Sequence, residues 1–338
     1  MKLLHLRTEG MRGLPDGAYA FSAPTTGAPL EVVLVTGEQD SGKTSLLRTI
    51  AAAKEAIGSY GAAPEPERLR RQNAARCRIV TTWLLSDTDR AQCDHVDARQ
   101  TIVWEIGDGS SHLDASPRLR RLFGGYSSDP AQGKFELFPA NRSLVYADPL
   151  GARRPTPDPA EGRLRMTSAP EKYAGLRAHF RDLVLADAAR LAQLLDTQGI
   201  ALRVRQPDAL APYREAIASI LSNLRLATVE PDDRSARVVF RKRDDTLVEL
   251  SELSESEQQG VLFATTFRRF GLNHSVLLID SPELHVHPRR QADFFAALVG
   301  LGRDNQIIAA TSSREVLSAA RTDQIIDLSR PRAEVLHR

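Results

Sequence analysis

Hydrophobic positions along the chain follow two spacings, and each spacing predicts one kind of secondary structure. Short apolar runs rich in valine and isoleucine, such as 31–36, 276–280 and 306–311, are typical of buried strands. Apolar residues at steps of three and four across 171–198 predict the longest helix, which Gly199 ends. The pattern also predicts strands at 3–6, 19–21, 79–85, 101–106, 224–229, 236–241, 246–250 and 325–328, and helices at 46–58, 118–123, 210–221, 254–270 and 289–301.

The order of these elements predicts an α/β protein whose main lobe is assembled from both ends of the chain. Strand–helix units near the two ends would share one sheet, because units of this kind pack side by side. Between them, residues 148–170 hold five prolines and predict an extended loop, and 110–134 is polar and irregular. We therefore expect a main lobe formed by 1–147 and 224–338, with a Pro-rich loop and a helical lobe over 148–223.

Composition limits the class of protein. The chain has 338 residues, of which 42% are hydrophobic and 26% are charged, as is ordinary for a soluble globular protein. No apolar stretch is long enough to cross a bilayer, and the first residues lack a signal-peptide core, so we expect no membrane contact and a cytoplasmic location. Cys77 and Cys93 give neither a disulfide framework nor a metal-ligand spacing.

Arginine supplies nearly all of the positive charge, and it is clustered. The net charge is only +2, so the charge of the whole chain does not require a nucleic-acid partner. The densest cluster consists of Arg68, Arg70, Arg71, Arg76 and Arg78. Arginine forks bind phosphates and carboxylates alike, so this cluster is either a solvated surface or a contact for DNA, RNA or an acidic partner.

The segment GEQDSGKTS at 37–45 lies between a predicted strand and a predicted helix, which is the context that a phosphate-binding P-loop requires. Loop amides and the start of the helix would face a polyphosphate, Lys43 would reach its outer phosphates, and Thr44 would bind Mg²⁺. The residues expected around the nucleotide are Gly37, Gln39, Asp40, Ser41, Gly42, Lys43, Thr44 and Ser45.

The apolar run 276–280 ends in Asp280, as a Walker B strand does. Beside a P-loop this carboxylate would hold Mg²⁺ through its hydration shell, together with Thr44. A strand that ends in aspartate is common on its own. This strand, however, lies after the P-loop and after LSESEQQ at 253–259, and that order is more informative.

Five collinear segments resemble the ABC-type ATPase heads of the RecF/SMC/OLD-like group, an AAA ATP-binding group associated with repair and defence. EGMRG at 9–13 resembles that group's xNFRGF, GEQDSGKTS its GxNGSGKTS, LSESEQQ its LSxGEQQ, LLIDSPELHVHP its LLIDEPELHLHP, and IIAATSSREVL its IIxTTHSPxLL. The resemblance reaches both ends of the chain and leaves only about 54–134 and 143–235 without a matching motif.

This resemblance implies a P-loop NTPase fold: a two-lobed ABC-type ATPase head with a mixed sheet and a helical insertion lobe. It also implies that two subunits pair head-to-head around two ATP molecules, with each P-loop facing the other subunit's signature motif. Ser254, Ser256 and Glu257 of the signature would then contact ATP. Asn141 falls where the family has a Q-loop-like polar residue near Mg²⁺, with an asparagine in a plain turn as the equal alternative.

The departures from the family pattern concern hydrolysis. The acid that follows the Walker B aspartate in the family is Ser281 here, and a hydroxyl cannot act as a carboxylate base near neutral pH. The family's switch histidine falls on Ser312. Loss of a general base typically slows a reaction by about a hundredfold to ten-thousandfold, so we expect slow or partner-dependent ATP hydrolysis. Glu283 either substitutes as the base or is a surface or interface acid.

Two further departures lie in the binding motifs. Gln39 and Asp40 replace an Asn-Gly pair of the family's P-loop, and Ser256 replaces the signature glycine. The charge of Asp40 would weaken phosphate binding unless an arginine or Mg²⁺ offsets it, and by resemblance Arg12 is the candidate. His285 and His287 correspond to the family's HLHP segment, which explains them without a metal.

The sequence thus predicts an ABC-type ATP-binding protein that dimerises on ATP and regulates or powers a partner. The expected setting is a DNA-repair or antiviral-defence complex, as a homodimer or with an effector protein. The alternative is an active, DNA-stimulated ATPase that uses Glu283 as the base. A transporter subunit is disfavoured, because membrane spans are lacking and the signature is of the EQQ type.

Overall fold

The computed structural model describes residues 1–61, 63–94, 96–127, 129–144, 162–198, 208–233 and 235–329. In chain order its strands are β1 (Lys2–Glu9), β2 (Gly17–Ala20), β3 (Val32–Thr36), β4 (Cys77–Leu84), β5 (Arg99–Ile106), β6 (Ser111–Asp114), β7 (Phe135–Phe138), β8 (Leu224–Pro231), β9 (Ala236–Lys242), β10 (Leu247–Glu249), β11 (Val276–Asp280), β12 (Gln306–Ala310) and β13 (Ile325–Asp327). Its α-helices are α1 (Lys43–Ile57), α2 (Pro66–Leu69), α3 (Asp87–Ala91), α4 (Pro117–Gly124), α5 (Leu176–Gln198), α6 (Ala211–Ile220), α7 (Glu255–Arg269), α8 (Pro288–Val299) and α9 (Arg314–Ser318). Most of the loop predicted at 148–170 lies outside the described residues.

The centre of the molecule is a parallel sheet in the order β13–β3–β12–β11–β7. Its strands are the apolar runs of the sequence, and both of their faces are buried: Val33 and Val35 join one hydrophobic core, whereas Leu34 joins the other. Parallel strands place their carboxyl ends at the same edge of a sheet. That edge carries the P-loop after β3, Asn141 after β7, Asp280 at the end of β11 and Ser312 after β12.

One face of the parallel sheet is covered by α1, α4 and an antiparallel sheet in the order β2–β1–β4–β5–β6. Trp83, Phe123 and Phe135 join β4, α4 and β7 through rings whose centroids lie 5.2–5.6 Å apart. Such aromatic contacts stabilise a core beyond the area that they bury. The mixed sheet of the prediction is thus divided, with parallel and antiparallel strands in separate sheets.

The opposite face of the parallel sheet packs on α7, α8 and a second lobe, which contains α5, α6 and the antiparallel sheet β10–β9–β8. His179 on α5 and Tyr213 on α6 share a hydrogen bond of 2.6 Å. Burial lowers the pKa of His179 to about 3, so its ring is neutral and joins the two helices as a polar core group. Because β8–β10 pack on α5 and α6, we propose that this lobe extends beyond residue 223 and includes these strands.

The elements that the sequence does not predict are short. β6 lies in the stretch expected to be irregular, and it pairs with β5 although its own residues are mainly polar. The helix expected from residue 171 begins at Leu176, because a 3₁₀ turn at Pro170–Tyr173 precedes it and Gly175 has a φ of +78°. No helix among the described residues is long and apolar enough to cross a membrane.

The last turn of α1, the helix after the P-loop, contains a buried lysine. Lys54 Nζ lies 2.7 Å from Glu55 Oε1 and 2.9 Å from the centre of the Tyr60 ring. Burial lowers the pKa of Lys54 from 10.5 to about 7. Between these two values the unfolded chain binds a proton that the folded chain has released, so the free energy of unfolding rises with pH over this window.

Replacing Lys54 with methionine is expected to flatten this rise. One such group contributes at most about 1.4 kcal/mol per pH unit. The change should be clearest between pH 7 and pH 8, because burial lowers the pKa of Lys134 and of Lys172 only to about 8. Urea unfolding of the wild type and of Lys54→Met across that interval measures the two slopes. An unchanged slope in Lys54→Met would contradict the prediction.

Candidate functional site

The P-loop is a tightly wound turn between β3 and α1. Three of its residues have positive φ angles: Gly37 at +149°, Asp40 at +60° and Gly42 at +98°. A Cβ atom on Gly42 would lie 2.7 Å from the Gly13 carbonyl oxygen, and one on Gly37 would lie 2.5 Å from Ser41 Oγ. Only glycine therefore fits both positions, as a loop that wraps a phosphate requires.

Lys43 and Thr44 form the first turn of α1. Lys43 Nζ donates to the carbonyl oxygens of Gly37 and Glu38, at 2.9 and 2.8 Å, so its ammonium group lies across the loop. Thr44 Oγ1 donates to Asp280 Oδ2 at 2.9 Å, although 236 positions separate the two residues. The fold thus brings together the two predicted metal ligands.

The side chains of the P-loop and Asp280 fit a nucleoside triphosphate with Mg²⁺. Ser41 Oγ is buried in the loop and has no hydrogen-bond partner among the described residues, so it is a donor without an acceptor. With Lys43 and the amides at the start of α1, it offers positive potential and hydrogen atoms to phosphate oxygens. Thr44 and Asp280 supply the hydroxyl and carboxylate oxygens that Mg²⁺ prefers, and a bound Mg²⁺ would neutralise phosphate charge there.

Arg142 is the residue of this edge that sequence reasoning missed. Only 3% of it is exposed. Its guanidinium donates to the Asp280 and Ser281 carbonyl oxygens at 2.7 Å each, and to the Pro139 carbonyl oxygen at 3.1 Å. Its Nε donates to Gln259 Oε1 on α7 at 2.7 Å. Burial lowers the pKa of Arg142 to about 10, so the group remains charged at neutral pH.

A sequence signal for Arg142 does exist. The residue follows the apolar run at 135–138 by a few positions, and the carboxyl end of that strand shares an edge with Asp280. A lone arginine at such a position is a candidate for the site, because parallel strands collect functional groups at this edge. Its four acceptors, however, come from three separate segments, and only the folded chain identifies them.

The candidate hydrolytic residues lie just beyond the strand ends. Ser281 has a φ of +52°, and its hydroxyl lies 3.5 Å from Asp280 Oδ1. Glu283 Oε1 accepts a hydrogen bond of 2.9 Å from the Ser312 amide. Glu283 Oε2 is buried and has no hydrogen-bond partner within the described part of the chain. Glu283 therefore joins the Walker B turn to the switch position rather than facing open solvent.

Asn141 lies beside the predicted metal ligands. A cavity of about 170 Å³ is lined by Asn141, Thr44, Asp280, Ser168 and Arg48, among others. Asn141 Nδ2 donates to the Ser168 carbonyl oxygen at 3.4 Å, a long bond. The side chain is exposed in a turn beside this cavity, so its position is compatible with both interpretations, and a Q-loop function for Asn141 stays a prediction.

The signature segment begins α7. Ser254 is the N-cap: it and Glu257 form a capping box, in which Glu257 Oε2 accepts from the Ser254 amide at 2.9 Å. Glu257 is 8% exposed, and its carboxylate also lies 3.7 Å from Lys242 Nζ. Ser254 is exposed and Ser256 half-buried, so these two remain available to a nucleotide, whereas Glu257 organises the start of the helix.

The two histidines after the Walker B strand have separate contacts. His285 Nδ1 lies 2.6 Å from Glu255 Oε2 at the start of α7. His287 is the N-cap of α8 and accepts from the Arg289 amide at 3.3 Å. Across the described residues, no group of three or more His, Cys, Asp or Glu side chains could hold a metal ion.

Arg12 is exposed in a turn that touches the P-loop, since the Gly13 carbonyl lies against Gly42. Arg71 braces this turn by donating to the Leu14 carbonyl oxygen and by pairing with Asp16 at 3.0 Å. The arginine cluster is largely ion-paired: Arg68 with Glu65, Arg70 with Glu67 and Asp108, Arg71 with Asp16, and Arg78 with Glu105. These acids offset the positive charge that a nucleic acid would need, which favours a solvated surface.

Comparison with known proteins agrees with this geometry. A family model, AAA_21, described as "AAA domain, putative AbiEii toxin, Type IV TA system", matches residues 150–318. The chain belongs to the AAA_21 family. The resemblance predicted from the sequence to an ABC-type P-loop ATPase head is thereby confirmed, and membership implies ATP binding, typically with Mg²⁺. No curated protein matches the chain significantly.

Solved structures place this AAA_21 protein in the SMC-like fold. An SMC head bound to the C-winged helix domain of ScpA aligns with a TM-score of 0.55 at 14% identity, covering 97% of this chain and 94% of that chain. An SMC head from Pyrococcus furiosus, with an extended coiled coil and bound to the C-terminal domain of ScpA, aligns with a TM-score of 0.51 at 12% identity, covering 96% and 93%. The predicted fold class, a P-loop NTPase head, is confirmed.

Proposed function

We propose that this AAA_21 protein is an ABC-type head that binds ATP with Mg²⁺, pairs with a second copy in the ATP-bound state, and thereby regulates or powers a partner. The observation that carries the proposal is the hydrogen bond of 2.9 Å between Thr44 and Asp280, which joins the P-loop to the Walker B strand. The catalytic candidates are Asp280, Ser281, Glu283 and Ser312, and the metal ligands are Thr44 and Asp280.

Within one subunit, the P-loop would wrap the phosphates of ATP. The amides of 37–45 and Lys43 would hold the outer phosphates, while Thr44 and Asp280 would hold Mg²⁺. Ser281 has no carboxylate with which to accept a proton from water, and Ser312 lacks the imidazole of the family pattern. The residues that would bind ATP are therefore present, whereas two residues of the family's hydrolytic set are replaced by serine. This combination favours slow or partner-dependent ATP hydrolysis over rapid turnover.

The dimer is proposed from the signature. Ser254 and Ser256 lie at the accessible start of α7, where they could contact ATP held by another copy. The helix start adds a positive dipole end for its phosphates. The solved SMC heads are bound to ScpA, and for this chain we propose an effector protein by analogy. The family description supports a role in a toxin–antitoxin system. The antiviral-defence or DNA-repair setting rests on the sequence resemblance to the RecF/SMC/OLD-like group alone.

A second candidate is an active ATPase that uses Glu283 as the base. The buried Oε2 atom of Glu283, without a hydrogen-bond partner among the described residues, favours this candidate, because such an oxygen is free to accept a proton. Turnover stimulated by DNA, with a steep dependence on salt, would distinguish this function from slow hydrolysis.

Light scattering tests the proposed dimer. The wild type is expected to be monomeric without nucleotide and with ADP, and dimeric with ATP and Mg²⁺. Thr44→Val, which keeps the size of the side chain and removes the hydroxyl, should stay monomeric with ATP because it lacks one metal ligand. Equal masses in all three nucleotide states would refute ATP-driven pairing, and direct ATP binding by the same sample shows whether the nucleotide site itself has failed.

A further inference from the structure

We propose that Arg142 is a positioning residue, which holds the turn after β11 so that Asp280 faces Mg²⁺ and which ties that turn to the signature helix α7. This inference rests on the proposed ATP site. It adds a function for a side chain whose hydrogen bonds go to main-chain carbonyl oxygens and to Gln259 rather than to the Thr44 hydroxyl or the Asp280 carboxylate, and it explains why a charged group is buried at this edge.

The first half of the inference follows from the two carbonyl contacts. Arg142 Nη1 and Nη2 donate to the Asp280 and Ser281 carbonyl oxygens, each at 2.7 Å. These two oxygens belong to consecutive peptide groups, so the planar guanidinium fixes the direction of the chain on both sides of Ser281. The Asp280 carboxylate then has little freedom except to face Thr44, 2.9 Å away.

The turn needs such a restraint, because its backbone is strained. Ser281 has a φ of +52°, in the left-handed region that serine rarely adopts. A residue in this region persists only when its surroundings hold it there. Besides the arginine, the Ser281 amide donates to the Ala310 carbonyl oxygen at 2.8 Å, so the turn is held from two sides.

The second half follows from the contacts with α7. Arg142 Nε donates to Gln259 Oε1 at 2.7 Å, and Gln259 Nε2 donates back to the Arg142 carbonyl oxygen at 3.3 Å. Gln259 is 4% exposed, one turn beyond the start of the signature helix. The guanidinium carbon also lies 4.9 Å from the centre of the Phe263 ring on the same helix. One side chain thus joins the metal-binding turn to α7.

No other side chain can replace this geometry. An arginine carries five donors in one plane, whereas lysine carries three on a single atom and cannot reach the two carbonyls and Gln259 together. The conservative variant Arg142→Lys therefore keeps the charge and removes the fork. Arg165→Lys is a matched control, because Arg165 is also almost fully buried, at 1% exposure, but its guanidinium donates to the Lys172 carbonyl oxygen.

The test compares the affinity for a fluorescent ATP analogue with Mg²⁺ and with EDTA in the full chain. The Mg²⁺ increment is the factor by which Mg²⁺ raises the affinity over that in EDTA. We expect this increment to be about tenfold smaller in Arg142→Lys than in the wild type, as when an outer partner of a metal ligand is removed, while the affinity in EDTA stays unchanged. Arg165→Lys should keep the Mg²⁺ increment even where its thermal stability falls equally. An unchanged increment in Arg142→Lys, or an equal loss in both variants, would overturn the inference.

Hydrogen exchange without nucleotide gives a readout that is independent of the ATP site. Arg142→Lys is expected to speed exchange in peptides covering 276–286 and 254–262, whereas Gln259→Leu should speed it only in the second, since it leaves the carbonyl contacts in place. Unchanged exchange in both segments would refute the link to α7. If the wild type binds no ATP, the proposed function fails, and the exchange data alone then decide whether Arg142 holds this turn.

Discussion

A glutamate at position 281 is expected to raise ATP hydrolysis about a hundredfold to ten-thousandfold over the wild type, which is the usual contribution of a general base. Ser281 directly follows Asp280, at the position where the sequence resemblance places the family's acid, so the added carboxylate would stand where a general base is expected. Phosphate release under single-turnover conditions measures the rate. Ser281→Gln has the same shape without the charge, and it should stay as slow as the wild type.

Two results would contradict this expectation. Fast wild-type turnover that Glu283→Gln abolishes would identify Glu283 as the base and make Ser281→Glu redundant. A Ser281→Glu protein that binds ATP but gains no rate over Ser281→Gln would show that the missing carboxylate does not limit hydrolysis. Because residue 281 has a φ of +52°, thermal unfolding should accompany both variants to confirm that the strained turn persists.

Removing the carboxylate of Glu136 is expected to destabilise the protein by about 3–5 kcal/mol, because two buried cations would lose their counter-ion. Glu136 on β7 is fully buried, 2.7 Å from Lys172 Nζ and 3.7 Å from Arg165 Nη1. Lys172 also donates to the Leu137 carbonyl oxygen, so this group fastens the 3₁₀ turn to the edge strand of the parallel sheet. Urea unfolding of Glu136→Gln measures the loss.

The double variant Glu136→Leu/Lys172→Met provides the control. It replaces the closest ion pair with apolar side chains of similar size, which often costs little, so it should be more stable than Glu136→Gln. Arg165 keeps its contact with the Lys172 main chain in both proteins. If Glu136→Gln unfolds at the wild-type urea concentration, or if the double variant is the less stable, the pair does not stabilise the fold in this way.

The central sheet could be predicted from the sequence because its strands are short, apolar and β-branched. The P-loop and Asp280 could be predicted for the same reason: each motif directly follows such a strand, and Thr44 and Asp280 meet as expected. The lobe of β8–β10 was harder to assign, since strand patterns show that the strands exist but not which helices they pack on. Their contact with α5 and α6 depends on non-local packing.

The contacts of polar side chains were the least predictable part of the site. The sequence shows only that Arg142 follows a strand, whereas its proposed positioning function depends on carbonyl oxygens of residues 139, 280 and 281 that converge only after folding. Glu257, whose contact with ATP stays a prediction, accepts a hydrogen bond from the Ser254 amide at the start of its own helix, a partner that the motif does not indicate. A motif identifies where a residue lies along the chain, whereas its hydrogen-bond partners depend on backbone orientation.

The strand order of the parallel sheet has a consequence for synthesis on the ribosome. β3 lies between β12 and β13, which are near the other end of the described chain. The nascent strand that leads into the P-loop therefore leaves the exit tunnel long before either neighbour has been translated. Its apolar residues must stay shielded during that delay, since pairings of high sequence separation form slowly and expose the chain to aggregation. Completion of the nucleotide site is thus a late event of biosynthesis.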